Sequence, residues 1–385
     1  MAEIFKVEVI SDDDRCCELS LPVGDHVMLD TYQRLGQSTE SPFQWSLLQC
    51  KGYEYLAPFV QGERLLAVNL LAQQISNLNS RQRTAFEGIT KREVELRRGP
   101  FGIEDLIDYI QTAEYCHVIP EATDDASLGR FYAEEGFIPA VDDLPDEVFE
   151  KLDFAKFGKE IRLEEQGVFA ANGYVTLDGE IIRRHMHIPD GPMLPTYVFM
   201  LKTKSYIFDD DFPYEGDTVR LELPASEEQL LNVARSLGLC TWDEGVYTIT
   251  DSAIPNLFDV SDTFGSLRAL NALAKEIEGL TRPEFEKYKA LLETMECDDI
   301  ESSLHCLQVL DQYHLDVLKT SYGQLAKEDV LSITDRDAAS MIIKHLNLEA
   351  YGRELVEQEQ GHLTPYGYLT RQDMEQSMDI APIQA

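Results

Sequence analysis

Leu152-Asp-Phe-Ala-Lys-Phe157-Gly158-Lys-Glu160-Ile-Arg-Leu-Glu-Glu165-Gln166-Gly167 is followed by Phe169 and Gly173-Tyr174, and 194 residues later the chain repeats it. There it reads Leu346-Asn-Leu-Glu-Ala-Tyr351-Gly352-Arg-Glu354-Leu-Val-Glu-Gln-Glu359-Gln360-Gly361, then Leu363 and Gly367-Tyr368. An acidic amphipathic run of this kind reads as a helix leading into an aromatic-glycine strand. Two such runs in constant register predict two copies of one unit.

Working outward, other stretches repeat in the same order. Leu19, Leu21-Pro22, Leu29 and Leu35-Gly36 answer to Leu221, Leu223-Pro224, Leu231 and Leu237-Gly238 at a shift of 202. Asn69, Leu71, Ala72, Ile75, Leu78 and Phe86 meet Asn271, Leu273, Ala274, Ile277, Leu280 and Tyr288 at the same shift. An alternating apolar run ends in Asp12-Asp13-Asp14 in one half and Asp209-Asp210-Asp211 in the other. The predicted organisation is a first unit over 1–188, a linker over 189–199 holding Pro189, Pro192 and Pro195, and a second unit over 200–385.

Within each unit the pattern is strands first and helices after. Phe5 to Ile10 with Cys17 to Leu21, and Met200 to Phe208 with Val219 to Leu223, alternate as hairpins around the aspartate turns. Further strand-like residues span Phe43 to Leu56. Ser226 to Gln229 and Thr281 to Glu284 are capping boxes. Leu65, Val68, Ala72 and Ile75 recur at helical spacing, as do Ile103, Leu106, Ile107 and Ile110, so Glu104, Asp105 and Asp108 are expected to point away from that apolar face. The expected class is α+β, two tandem copies of a small sheet-containing part followed by a helical part.

The chain carries 70 Asp and Glu against 33 Lys and Arg, a formal charge of -37. Up to Pro195 there are 35 acids and 18 bases, and beyond it 35 and 15, so the charge belongs to both halves. With 44% hydrophobic residues each half can bury a core, which excludes a disordered acidic polymer. Such a surface repels nucleic acid and membrane phosphates and attracts a basic partner. Seven cysteines without a Cys-x-x-Cys, no apolar signal core and no membrane-length run predict a cytoplasmic protein.

The acids cluster. Glu104, Asp105, Asp108, Glu114, Glu121, Asp124, Asp125, Glu134, Glu135, Asp142, Asp143, Asp146, Glu147 and Glu150 face a single base, Arg130, in the same stretch. The second half concentrates acid from Glu293 to Asp337, including Glu296, Asp298, Asp299, Glu301, Asp311 and Asp316. Arg81, Arg83, Lys91, Arg92, Arg97 and Arg98 crowd the segment just before the first cluster. Duplex DNA carries about one charge per 1.7 Å, so a net 37 charges correspond to roughly 63 Å, or about 18 base pairs. That is the length of a protein footprint on DNA, which makes imitation of a phosphate backbone physically feasible; the plain alternative is a solvated face.

Catalytic readings are weaker. His185-Met-His187 sits in the Pro-rich linker with no third ligand at metal spacing. Cys116-His117, and Cys297 with His305-Cys306, fall in stretches that read as amphipathic helix, where buried thiols are expected. The Asp triplets lack calcium-loop spacing, and the Gly-Tyr pairs at 173 and 367 are expected to serve a turn and a core contact. No phosphate-cradling glycine loop, nucleophile elbow or zinc-protease motif occurs. The sequence therefore predicts no enzyme, cofactor or metal.

Leu144-Pro145-Asp146-Glu147-Val148 ahead of the first quoted stretch, its echo from Leu346, and Leu270-Asn271-Ala-Leu273-Ala274 resemble the helical part of ArdA antirestriction proteins. The family's N-terminal Gly-x-Leu-x-Gly-x-Trp signature is missing, since Trp45 and Trp242 stand in other contexts. The resemblance implies an elongated, acidic DNA mimic that occupies the DNA-binding site of a type I restriction-modification enzyme, encoded on a mobile element. The acids enumerated above would be its partner-binding groups. A tandem of two units would then act as a monomeric pseudo-dimer or as a homodimer, and would bind neither nucleic acid nor membrane. The alternative expectation is an acidic adaptor that docks a basic protein without imitating DNA.

Overall fold

The structure, a computed structural model, describes residues 3–11, 15–39, 41, 43–96, 102–141, 144–184, 186–205, 218–240 and 242–372. Asp12, Asp13, Asp14, Arg97, Arg98, Asp142, Asp143, His185, Asp209, Asp210 and Asp211 lie outside the described residues. The class is α+β, with helices and several small antiparallel sheets.

The first half of the chain runs β1 (Phe5–Ile10), β2 (Cys16–Leu21), α1 (Asp25–Arg34), β3 (Gln44–Gln49), α2 (Ala57–Val60), α3 (Leu65–Ser76), α4 (Ser80–Leu96) and α5 (Ile103–Thr112). It continues with β4 (Cys116–Ile119), α6 (Asp125–Glu134), α7 (Asp146–Phe149), α8 (Phe154–Glu165), β5 (Val168–Ala170) and β6 (Gly173–Leu177). The second half runs β7 (Phe199–Ser205), β8 (Val219–Leu223), α9 (Glu227–Ser236), β9 (Gly245–Ser252), β10 (Ser261–Thr263), α10 (Phe264–Glu278), α11 (Arg282–Thr294) and α12 (Ile300–Val309). It ends with β11 (Tyr313–Asp316), α13 (Tyr322–Ile333), α14 (Arg336–Ile343), α15 (Leu348–Glu359), β12 (His362–Thr364) and β13 (Gly367–Arg371).

Strand orders are β2-β1-β3 and β4-β6-β5 in the first half, and β10-β9-β7-β8 and β11-β13-β12 in the second. Cys116 pairs with Leu177 and Val168 with Val175; Tyr313 pairs with Arg371 and His362 with Leu369. The Cys116-His117 pair, expected on a helix, thus lies on β4. Thr112 ends α5 and the chain passes through a single tight turn into extended backbone at Cys116, where β6 supplies the partner strand.

The two quoted stretches fold alike, each as a twelve-residue helix, α8 and α15. Asp153 and Asn347 cap them by accepting from Lys156 and Ala350 backbone N–H. Gln166 and Gln360 end them in the left-handed region, both at φ 52°. Each following glycine is forced by a tyrosine: a Cβ on Gly167 or Gly361 would overlap the hydroxyl of Tyr174 or Tyr368. Those hydroxyls donate to Glu165 (2.9 Å) and Glu359 (2.7 Å), the last residues of the two helices. Gly158 and Gly352 sit mid-helix because a Cβ there would run into the carbonyls of Asp125 on α6 and Tyr322 on α13. The buried Tyr174 and the left-handed Gly173 serve the core and the turn as expected.

The chain divides into two compact units: Met1–Val9, Glu18–Pro22 and Pro42–Gly191 form one, and Ile10–Cys17, Val23–Ser41 and Pro192–Ala385 the other. The main division falls inside the stretch read as linker, while α1 belongs to the C-terminal unit. The first unit buries Phe5 and Val7 of β1, Val68, Leu71 and Ile75 of α3, Phe86 of α4, and Leu106 and Ile107 of α5. The C-terminal unit's core gathers Phe199, Leu221, Tyr247, Phe264, Leu270, Tyr288, Leu291 and Leu369.

Within the C-terminal unit, α1 is held by polar ties. Gly24 precedes the helix and has no side chain to cap it, and Asp251 of β9 takes that place. Its carboxylate accepts from the backbone N–H of His26 (3.0 Å) and Val27 (3.3 Å) and from the Tyr197 hydroxyl (2.7 Å). A Cβ on Gly24 would collide with that carboxylate. One helix turn on, Asp30 meets Lys289 of α11 at 2.7 Å, and Arg34 meets Glu293 at 2.8 Å. Lys289 is 3% exposed; its ammonium also reaches Gln33 Oε1 and lies 4.6 Å from the centre of the Tyr366 ring, whose hydroxyl donates to Asp30.

Candidate partner-binding surface

In the first unit the helices that follow the basic α4 carry the acids. Asp124 caps α6, accepting from Ser127 N–H at 2.7 Å, and this hydrogen bonding holds its carboxyl below the usual range. Arg130 of α6 bridges Glu134 (3.0 Å) and Glu150 (2.6 Å), and the Arg130 hydrogen bond pulls the Glu150 carboxyl down. Arg162 of α8 reaches Asp125 at 2.7 Å. The bases interleaved with these acids thus tie helices together, which leaves Glu104, Glu114, Glu121, Glu135, Asp146 and Glu147 exposed to solvent as carboxylates.

Asp108 corrects the expectation that it points to solvent: it is 2% exposed. Residues 182–184 run over the outer side of α5, where Arg184 N–H donates to Asp108 (3.0 Å), Ile182 N–H to Thr112 (3.0 Å), and Arg183 pairs with Asp105 at 2.9 Å. Asp105 and Asp125 are half-buried. Sequence clustering also stopped short, because Lys156 and Lys159 dilute α8, yet its Glu160 and Glu164 are exposed and extend the acidic set, as do Asp178 and Glu180.

In the C-terminal unit Glu296, Asp298, Asp299, Glu301 and Asp311 are exposed. Asp299 caps α12 through Ser302 N–H at 2.7 Å, which lowers its carboxyl. Asp316 is half-buried beside Lys319 at 3.2 Å. Glu328, Asp335, Asp337, Glu349, Glu354 and Glu357 are further exposed acids on α13, α14 and α15. Glu328, Asp335 and Asp337 fall within the acidic stretch read from the sequence, whereas Glu349, Glu354 and Glu357 lie beyond it, spread by a helical period.

Two members of the basic cluster work internally. Arg81 donates to the Cys116 carbonyl at 2.6 Å, and Lys91 pairs with Glu87 at 2.6 Å, so these cations fasten α4 to the β4-β6-β5 sheet and its own turn. Among the described residues no group of acids, histidines and cysteines is arranged to hold a metal ion, and no helix is long and apolar enough to cross a membrane. The chain matches no family model and no curated protein.

Proposed function

We propose that the chain is two copies of one α+β unit and that it acts by binding, without catalysis, as an acidic mimic of DNA that occupies the DNA-binding site of a type I restriction-modification enzyme. One observation carries this reading: Arg130 and Arg162 in the first unit and Lys289 in the C-terminal unit are taken up by ties between elements, while many carboxylates on the helices of both units remain in solvent. Lysines and arginines shaped for phosphates would accept such carboxylates, and the attraction would fade as salt rises. The likeness of the two quoted stretches to ArdA proteins supplies the partner class.

The test is competition between the protein and a labelled duplex for a type I methyltransferase core across a salt series. Displacement near stoichiometric ratio at low salt, weakening as salt rises, supports mimicry. Absence of displacement at low salt refutes it. A second reading, an acidic adaptor, draws on Asp124, Asp299 and Asp108, whose carboxylates serve helix caps and internal backbone rather than a partner. An adaptor would bind its basic partner without being displaced by duplex.

A further inference from the structure

We infer that Cys297 and Cys306 form a dithiol site that closes reversibly to a disulfide and pins the acidic turn between α11 and α12. Their sulfurs lie 3.2 Å apart, and both are inside the C-terminal unit's core. A disulfide bond is about 2.05 Å long, so bonding asks for a closing movement of roughly 1.1 Å.

The pair is placed by two separate devices. Glu296 turns the chain in the left-handed region at φ 50°, and Cys297 N–H donates to the Leu292 carbonyl at 3.1 Å, which folds Cys297 back under the end of α11. Cys306 lies one helical turn beyond Ser303, whose carbonyl accepts the Tyr288 hydroxyl (2.8 Å) and whose Oγ accepts from Asn256 (2.8 Å). Between the cysteines stand Asp298, Asp299 and Glu301, all exposed, so the ring that closes holds part of the acidic surface.

The reagent class is a low-molecular-weight disulfide. The Cys297 thiolate, at 8% exposure the more accessible of the two, attacks it, forms a mixed disulfide and releases one thiol. The Cys306 thiolate then attacks the Cys297 sulfur and releases the second. The protein loses two protons and two electrons, and the reagent is reduced to two thiols. Burial pushes the Cys306 thiol up, so closure is slow at neutral pH and accelerates in alkali.

The test uses the full chain incubated with oxidised glutathione. No Lys or Arg lies between Ala290 and Lys319, so trypsin leaves both cysteines in one peptide. Expected is that peptide lighter by two hydrogens, reverting on reduction, with the thermal midpoint of the C-terminal unit raised by about 5 °C or more. Cys297→Ala and Cys306→Ala should each abolish the rise. Recovery of the peptide with two free thiols, or with glutathione held on Cys297 alone, while exposed Cys16 and Cys240 have reacted, overturns the inference. The mass reading needs no variant, so it stands even if a substitution prevents folding.

Discussion

Replacing Asp30 by Asn should unfold the C-terminal unit at markedly lower temperature while leaving the first unit's transition in place. Lys289 and Asp30 have side chains 4% and 13% exposed and meet at 2.7 Å, so the ammonium has been taken out of water and depends on this carboxylate. At an effective dielectric constant of about 20 the gross attraction at that distance is about 6 kcal/mol, but desolvation of both charges offsets most of it. What the variant exposes is the offset without the attraction: an ammonium left facing Gln33, two aromatic rings and no carboxylate at contact distance. Breaking a buried pair in this way costs about 3–5 kcal/mol, which for a domain of this size lowers the midpoint by roughly 10 °C. Circular dichroism melts of the wild type, D30N, K289M and the double variant measure it. Lys289→Met together with Asp30→Asn should recover much of the loss, because a methionine needs no counter-charge. A loss below about 1 kcal/mol for D30N, or a double variant no better than D30N, would refute the account of Lys289 as a buried charge held by α1.

Other outcomes follow from the same geometry. His26 is half-buried beside Tyr197, with Asp251, Asp25 and Lys289 facing it, and this desolvation lowers its pKa below the usual 6.5. The unfolded chain therefore takes up that proton first, so the stability tied to neutral His26 is complete above pH 6.5 and is lost as pH falls below it; urea unfolding at pH 7.5 and 5.5 should show a smaller loss in H26Q than in the wild type. Gly158→Ala and Gly352→Ala should each destabilise by at least about 1–3 kcal/mol, read by thermal melts, since a Cβ meets a backbone carbonyl that cannot swing aside. Equal costs at the two sites support the two-copy proposal, and a harmless G352A counts against it. Reversing Asp146 and Glu147 to Lys should weaken partner binding and flatten its salt dependence in the competition assay, whereas Asp108→Asn, being buried, should act on stability and leave the salt dependence alone.

Local features of this fold were legible because local physics decides them. The two quoted stretches read as an amphipathic helix leading into an aromatic-glycine strand, and Ser226 and Thr281 mark helix starts without help from distant groups. Asp108 was misread for the opposite reason. A helical wheel places it across from Ile103 and Ile107, but residues 182–184, more than seventy positions away, cover that side and satisfy its carboxylate with a backbone N–H. Cys116 was misread because a short apolar run following a helix carries the same composition in either state, and only β6 settles it.

The placement of α1 is the part no window of sequence reveals. Its matching residues are 225 to 336 positions away: Asp251 at its N-terminus, Lys289 and Glu293 along its side, Tyr366 beside Asp30 and Arg34. At the shift of 202 the residues corresponding to Lys289 and Glu293 are Glu87 and Lys91, the same pair with its charges exchanged, and they pair with each other at 2.6 Å. Asp30 and Arg34 correspond to Asn232 and Ser236 of α9, which carry no charge. The two halves therefore differ where α1 is held: the C-terminal unit presents a cation and an anion in the order that Asp30 and Arg34 require, and the first unit's α4 presents them reversed. It follows that a fragment beginning at Pro192 lacks the acid for Lys289 and the helix that Asp251 caps, and should gain stability when a peptide spanning residues 23–41 is added.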